Sequence, residues 1–295
     1  MNDTGSNTRL DIDLAFYRSQ NADLDVLTDD QLVQHYHLFG EEEGRVASPL
    51  CIRDFLLSEI KASDVLEIGP YCQPTIRGPN VRYFEVLDSA GLVARAASLG
   101  FHGAVAPYID YVSPTGDLSI VEDSAFDFVF SSHCIEHQPD LIRHLNQVAR
   151  ILRPNGRYIL IIPDKRYCLD HYIAPSTVAD VIQAGHERRI THTLGSIVTE
   201  SSLLTHNDTE RHWAGDHGTP HVFEDPGVIT NAINRYHEAC GGYIDTHAWR
   251  FTPRSFRDIV TQLLAVNLIT LSPYRVLGTC RNTNSFIAIL IPVAS

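Results

Sequence analysis

No run in this 295-residue chain approaches the ~18 apolar residues that a membrane-crossing helix needs, and the amino-terminal MNDTGSNTRLDIDL has no apolar signal core. These two absences predict a soluble, cytoplasmic protein without membrane insertion. Paired cysteines are missing as well. The six cysteines, at 51, 72, 134, 168, 240 and 280, include no Cys-x-x-Cys, so neither a disulfide framework nor a zinc ribbon is suggested, and most read as small buried hydrophobes. Positive charge is scarce: 23 Lys and Arg face 36 Asp and Glu, a formal charge of −13 that argues against a nucleic-acid partner or an anionic membrane surface. A Gly-x-Gly-x-x-Gly loop is lacking after Ile68, and there are no internal repeats or low-complexity tracts. At 44% hydrophobic residues the chain can bury a core, and its length suits one large domain with appendages.

What is present is an alternation of strands and helices behind an acidic amino-terminal segment. Residues 1–48 read as a small helical module, with helices over 14–20 and 28–39 and Gly40 as a C-terminal cap. The pattern FYRSQNADL…HYHLFGEEEGR resembles a module found beside glycosyltransferase and methyltransferase domains in bacterial polysaccharide enzymes. A helix over 48–60 then precedes strands at 65–68, 81–86, 104–112, 126–130 and 158–162, with an Ala-rich helix at 89–99 and another opening at Asp140. That order predicts an α/β fold with a parallel sheet covered on both faces. Periodicity weakens over 172–246, a stretch too long for a simple connection, which reads as an inserted helical lid in a domain spanning 49–295. Beyond it, Thr252 as N-cap and Pro253 at the first helical position start a helix, and strands follow at 269–277 and 285–291.

The chemistry concentrates around FDFVFSSHCIEHQPD, residues 126–140. Titratable residues just past the carboxyl end of a buried strand lie where open α/β sheets place ligands. The first strand ends in VLEIGPYCQPT, with Glu67 two residues before Gly69, whose missing side chain lets a ligand approach the backbone. Glu85 ends the second strand, where a carboxylate can accept from both ribose hydroxyls.

With the RILRPNGRYILIIP turn and strand, these residues resemble the class I S-adenosylmethionine-dependent methyltransferases. The likeness is to a subgroup with a His after the fourth strand (His133), Pro163-Asp164-Lys165-Arg166 after the fifth, and a late His247-Ala248-Trp249-Arg250-Phe251-Thr252-Pro253. It covers about residues 50–295. It implies a Rossmann-like doubly wound sheet of seven strands, order 3-2-1-4-5-7-6, with strand seven antiparallel. One departure is that only Gly69 remains of the usual glycine-rich loop. The resemblance further implies Glu67 and Gly69 near the cofactor's methionine portion, Glu85 on the ribose, Asp110 and Leu118 framing the adenine, and Ser132 near the sulfonium.

Transfer of a methyl group to a neutral hydroxyl needs a base. His133 is the first candidate, because histidine titrates near neutrality. Asp164 is the second, as base, as the residue orienting His133, or as an ion pair fixing its own loop. Arg166 could hold an acidic acceptor group by a bidentate contact. His133-x-x-Glu136-His137 also matches an inverted zinc-protease signature, but it sits at a strand end rather than inside a long helix, so His137 reads as structural and no metal ligand is assigned. In the lid, His212, Asp216, His217 and His221 could gather around a divalent metal, though their spacing fits no tight motif and a metal is not favoured; Trp213 or His217 could contact a sugar ring. The expectation is an S-adenosylmethionine-dependent O-methyltransferase for a sugar or glycan hydroxyl, releasing S-adenosylhomocysteine, with a homo-oligomer compatible. A small-metabolite methyltransferase, a non-catalytic binding protein and a nicotinamide-dependent oxidoreductase are the alternatives.

Overall fold

The computed structural model describes residues 11–60 and 63–293; the readings made for the first ten residues and for Lys61 and Ala62 lie outside them. At the amino terminus Asp13 caps α1 (Leu14–Gln20) by accepting from the Phe16 N–H. A reciprocal Thr28–Gln31 capping box starts α2 (Asp29–His35), which continues as a single π turn over Tyr36–Gly40. These turns close on their own small core of Ile12, Tyr17, Leu24, Leu32, Tyr36 and Ala47. Gly40 is required there for a different reason than capping: a Cβ would collide with the Tyr17 hydroxyl, and the left-handed turn falls at Gly44 (φ 69°) instead. The module is tied down by Asp11, which accepts from Val276 N–H at 3.0 Å and pairs with Arg257, and by the Arg281 N–H to Gly44 carbonyl bond at 2.8 Å.

The expected 48–60 helix is split. A 3₁₀ turn over Pro49–Cys51 is followed by an extended Ile52 and then α3 (Arg53–Glu59). The sheet comprises β1 (Val65–Ile68), β2 (Val81–Glu85), β3 (Tyr111–Val112), β4 (Phe126–Ser132), β5 (Leu152–Pro163), β6 (Leu271–Leu277) and β7 (Ser285–Pro292), with α4 (Ser89–Ser98) after β2 and α5 (Leu141–Ile151) after β4. The strand order is 3-2-1-4-5-7-6, and β7 runs antiparallel to both β5 and β6, as the resemblance implied. β3 is far shorter than the expected 104–112. Pro107 interrupts that run, and proline cannot donate to a ladder. β5 is longer than expected: it follows α5 directly, pairs Leu152 with Phe126, bulges at Asn155-Gly156, and resumes with Arg157 opposite Phe128.

Alternation along the central strands divides the core between the two faces. Tyr158, Leu160 and Ile162 of β5, with Phe286, Ala288 and Leu290 of β7, pack under α5 and under α11 (Pro253–Ala265). Ile159, Ile161, Ile287 and Ile289 face the other way, onto Leu56 and Ile60 of the α3 region. Each such fully buried side chain contributes about 1.5–3 kcal/mol, so this two-sided alternation fixes the register of the sheet.

The 172–246 stretch holds α6 (Val178–Glu187), α7 (Leu194–Leu203), α8 (Thr209–Trp213), α9 (His221–Glu224) and α10 (Gly227–Glu238). Its helices have two different environments. α6 packs on α5 and α11 and contributes Val181 and Ala184 to the main core, whereas α7 packs mainly on α9 and α10.

Candidate active site

β1 and β4 are neighbours whose following connections leave in opposite directions along the sheet order, which makes the crevice beyond their carboxyl ends the topological switch point. Glu67 is buried at the end of β1, and its two oxygens take the N–H groups of Thr75 (2.8 Å) and Ile76 (2.9 Å). It therefore shapes the loop that follows β1. Burial raises its pKa, and those two N–H groups oppose the rise. Gly69 sits inside that loop at φ 75°, a backbone conformation that favours glycine, and a Cβ there would lie a tight 3.1 Å from Cys134 Sγ of the β4 loop. Glu85, buried at the end of β2, accepts from Val86 N–H (2.8 Å) and Tyr71 N–H (3.2 Å), and burial raises its pKa as well. An ionised carboxylate has about four acceptor sites. Two remain for ligand hydroxyls beside the Gly69–Tyr71 turn. Ser132 closes β4, paired with Ile161 of β5.

The remaining cofactor candidates sit further out. Asp110 accepts from Tyr83 N–H of β2 at 2.9 Å and has Arg82 at 3.6 Å. Leu118 begins a 3₁₀ turn and its side chain is fully buried in the main core. Its N–H donates to Gln147 Oε1 at 3.1 Å, while Asp117 accepts from the Gln147 amide.

Past β4, His133 adopts φ 50° and donates its backbone N–H to the Ile161 carbonyl, which turns its side chain out of the strand. Desolvation, then the positive charge of His247, lowers its pKa below the usual imidazole value even though 44% of the side chain is exposed. Glu136 follows in the 3₁₀ turn Ile135–His137 and is completely buried, and neither of its carboxylate oxygens has a hydrogen-bond partner among the described residues. An unmade buried bond costs about 1–3 kcal/mol, more for a charged group. Burial accordingly raises the Glu136 pKa, to about 7, against the opposing effect of His247. His133 Nδ1 (3.9 Å) and His137 Nε2 (3.8 Å) both lie near Glu136 Oε1.

His247 completes the group. Burial alone would lower its pKa, but the Asp170 carboxylate, 2.5 Å from Nδ1, raises it to about 9, with Glu136 and Glu200 adding to the effect. The HAWRFTP segment acts as a clasp. Ala248 and Trp249 donate backbone N–H groups to the Glu136 carbonyl, and Trp249 Nε1 donates to the Gln138 carbonyl. Arg250, buried, reaches Asp170 (3.3 Å) and Glu200 of α7 (3.2 Å), and Phe251 bridges to Asp164. Asp170 and Glu200 were not singled out by sequence reasoning; carboxylates in a weakly periodic stretch carry no signal until the fold brings an arginine and a histidine to them.

Asp164 is fully buried and saturated. It accepts from Arg166 N–H and guanidinium (2.7 Å at Nη2) and from Thr279 Oγ1 (2.7 Å). No lone pair is left open for a base, and Arg166 is committed to the same pair while lying over the Tyr167 ring. In the lid, Asp216 pairs with Arg211, and His212 and His217 meet at 3.0 Å, joined by His171 rather than by Asp216 or His221. Trp213 stacks on Tyr167 (3.8 Å between ring centres), so one of its faces is already covered. A cavity of about 590 Å³ between α5 and α6, lined by Ile142, Ile182, Ile190 and Leu268, shares no residue with the crevice or the histidine cluster.

Comparison with known proteins places this geometry. Residues 81–160 match the family model described as "Methyltransferase domain". Phosphoethanolamine N-methyltransferase 2 of Caenorhabditis elegans is 37% identical over 46 residues, 16% of this chain and 10% of that protein, so the chain matches about a tenth of this relative's length. Among solved structures, a Zn-dependent alcohol dehydrogenase from Rhodobacter sphaeroides is 17% identical with a TM-score of 0.45, covering 88% of this chain and 97% of that one. A DhpI–SAH complex is 13% identical with a TM-score of 0.39, covering 99% and 100%. Neither likeness is close enough to argue a function. The strand order is that of the Rossmann-like methyltransferase fold, and the family match falls on residues 81–160 of it.

Among the described residues no helix is long and apolar enough to cross a membrane.

Proposed function

We propose that this chain transfers the methyl group of S-adenosylmethionine to a hydroxyl of a sugar or glycan. The observation that carries the cofactor half of this reading is Glu85: a buried carboxylate at the end of β2, beside the Gly69–Tyr71 turn, with acceptor capacity left for two ribose hydroxyls. When bound, the cofactor supplies an electrophilic methyl group on a sulfonium sulfur. In this reading Gly69 admits its methionine portion close to the backbone, and Ser132, the last residue of β4, takes the sulfonium side. Holding the acceptor oxygen in line with that methyl group is worth on the order of 7–11 kcal/mol.

His133 is the base in this reading. Its side chain is the exposed member of the histidine cluster, and its lowered pKa keeps the imidazole unprotonated and ready to take a hydroxyl proton. Such a base contributes roughly 10²–10⁴-fold. Asp164 and Arg166 hold the β5 loop beside it, a positioning role rather than proton transfer. The sugar class of the acceptor is supported by the amino-terminal module's likeness to those beside polysaccharide enzymes.

Calorimetric titration with S-adenosylhomocysteine, with NADH as control, tests the reading. Saturable binding of the first alone is expected and justifies a screen of sugar acceptors. Binding of NADH instead would overturn it.

A further inference from the structure

Glu136 is a fully buried carboxylate with two unpartnered oxygens, and the fold aims two histidines at it. His137 and His247 arrive from different elements, the turn after β4 and the HAWRFTP clasp, yet one ligand atom from each of the three residues lies within 4.8 Å of the others. The outer nitrogens of both rings are already held. His137 Nδ1 lies 3.1 Å from the Thr246 carbonyl, and His247 Nδ1 lies 2.5 Å from Asp170. That leaves each Nε2 for the interior. An outer partner on the far nitrogen is how metal-bound histidines are oriented.

The ring geometry agrees. The His137 and His247 rings are 4.7 Å apart and nearly perpendicular, at 86°. Two imidazoles bound side by side to one ion, with metal–nitrogen distances of about 2.0–2.1 Å, place their centres roughly 4.5–5 Å apart. The other histidine group among the described residues fails this criterion. His171 and His217 are stacked 3.5 Å apart with planes 10° from parallel, so no point within metal-bonding reach lies in the plane of both rings.

We propose that Glu136, His137 and His247 bind one divalent transition-metal ion as a two-histidine, one-carboxylate site, with Asp170 orienting His247. Two imidazoles to one carboxylate select a transition metal over magnesium or calcium. Three protein ligands leave coordination positions open, and His133 Nδ1 lies 3.9 Å from the same Glu136 oxygen. A hydroxyl oxygen bound to the ion there becomes more acidic. Its proton passes to His133, its electron pair forms the new C–O bond, and the pair of the breaking C–S bond stays on sulfur. This role rests on the methyl-transfer reading; the site does not.

The test is titration of the chelator-stripped full chain with Co²⁺, followed by visible absorption and calorimetry. One ion per chain is expected, with the absorption of an imidazole-ligated centre. Glu136→Gln should weaken binding at least ~10-fold, Asp170→Asn about 10-fold or more by disturbing the outer partner, and His212→Asn not at all. Melting curves report folding, and His137→Asn replaces Glu136→Gln if the latter is unfolded. No stoichiometric uptake, uptake unchanged by both Glu136→Gln and His247→Asn, or uptake lost on His212→Asn would overturn the site. S-adenosylhomocysteine affinity on the same samples reads the cofactor crevice separately. Normal Co²⁺ uptake without cofactor binding removes the proposed role and leaves the site standing.

Discussion

His247 Nδ1 lies 2.5 Å from Asp170 Oδ2, joining the segment before α11 to the loop after β5. Seventy-seven residues separate the two, so neither position acquires its meaning from local sequence. Arg250 on the same clasp reaches the same Asp170 and also Glu200, which ties α7 to the floor of the crevice.

Glu85→Ala removes the carboxylate that accepts from the Tyr71 and Val86 backbone N–H groups, together with the proposed ribose acceptors. S-adenosylhomocysteine affinity should fall at least ~10-fold, the scale of one or two hydrogen bonds to a charged group, while the far-ultraviolet circular dichroism is unchanged. Equal affinity by calorimetry would end the ribose assignment.

Gly69→Ala places a methyl group against Cys134 and forces a side chain into φ 75°. A destabilisation of about 1–2 kcal/mol is expected from the left-handed backbone alone. Cofactor affinity should drop further than that, because the β1 loop must move away from β4. Thermal melts and calorimetry on one preparation separate the two effects.

With an acceptor in hand, His133→Ala should lower kcat by roughly 10²–10⁴-fold and leave S-adenosylhomocysteine affinity near that of the parent. Undiminished turnover would reduce His133 to a pocket wall.

Asp164→Asn leaves Arg166 facing a neutral amide in place of its buried counter-ion. Arg166 remains 30% exposed and can recover some hydration, so the expected loss is about 1.5–3 kcal/mol, the range for hydrogen bonds to charged groups. If Asp164 positions the loop, denaturant midpoints fall along with turnover; if turnover falls with no change in stability, Asp164 acts in the chemistry.

His144 gives the protein an acid limit. It is buried on α5, its Nε2 lies 3.0 Å from the Tyr158 hydroxyl, and desolvation followed by Arg143 lowers its pKa to about 3. The unfolded chain takes up this proton near pH ~6.5 while the native state refuses it. Its contribution to stability is therefore complete above about pH 6.5 and is lost as pH falls toward 3, at up to about 1.4 kcal/mol per pH unit. His144→Gln can still bond Tyr158 but cannot protonate, so its denaturation free energy should fall less steeply between about pH 6.5 and pH 4. Parallel slopes for the two proteins would place the acid sensitivity elsewhere.

Much of the fold was legible in the sequence because it is written in short-range pattern. The strands at 158–162 and 285–291, the helix starts at Asp140 and Thr252, and the punctuation at Gly69 are consequences of local sterics and burial, and the structure has each within a few residues of where the pattern put it. The same reasoning placed Glu67, Glu85 and His133 at strand ends. It misjudged β3, where a proline broke a run that hydrophobicity alone would extend, and it took α6 for part of a lid although Val181 and Ala184 belong to the main core. What only the tertiary structure decided is which polar groups keep a free valence. Asp164 and Glu136 look alike in sequence, each a carboxylate just past a strand and beside a basic residue. Arg166 and Thr279 saturate the first, and the fold buries the second beside two histidines with, among the described residues, no donor on either oxygen. Arg166 is a local partner that the sequence already offered, but Thr279 lies 115 residues from Asp164, and the clasp that closes over Glu136 comes from the far side of the lid, so local pattern alone does not decide which carboxylate is satisfied.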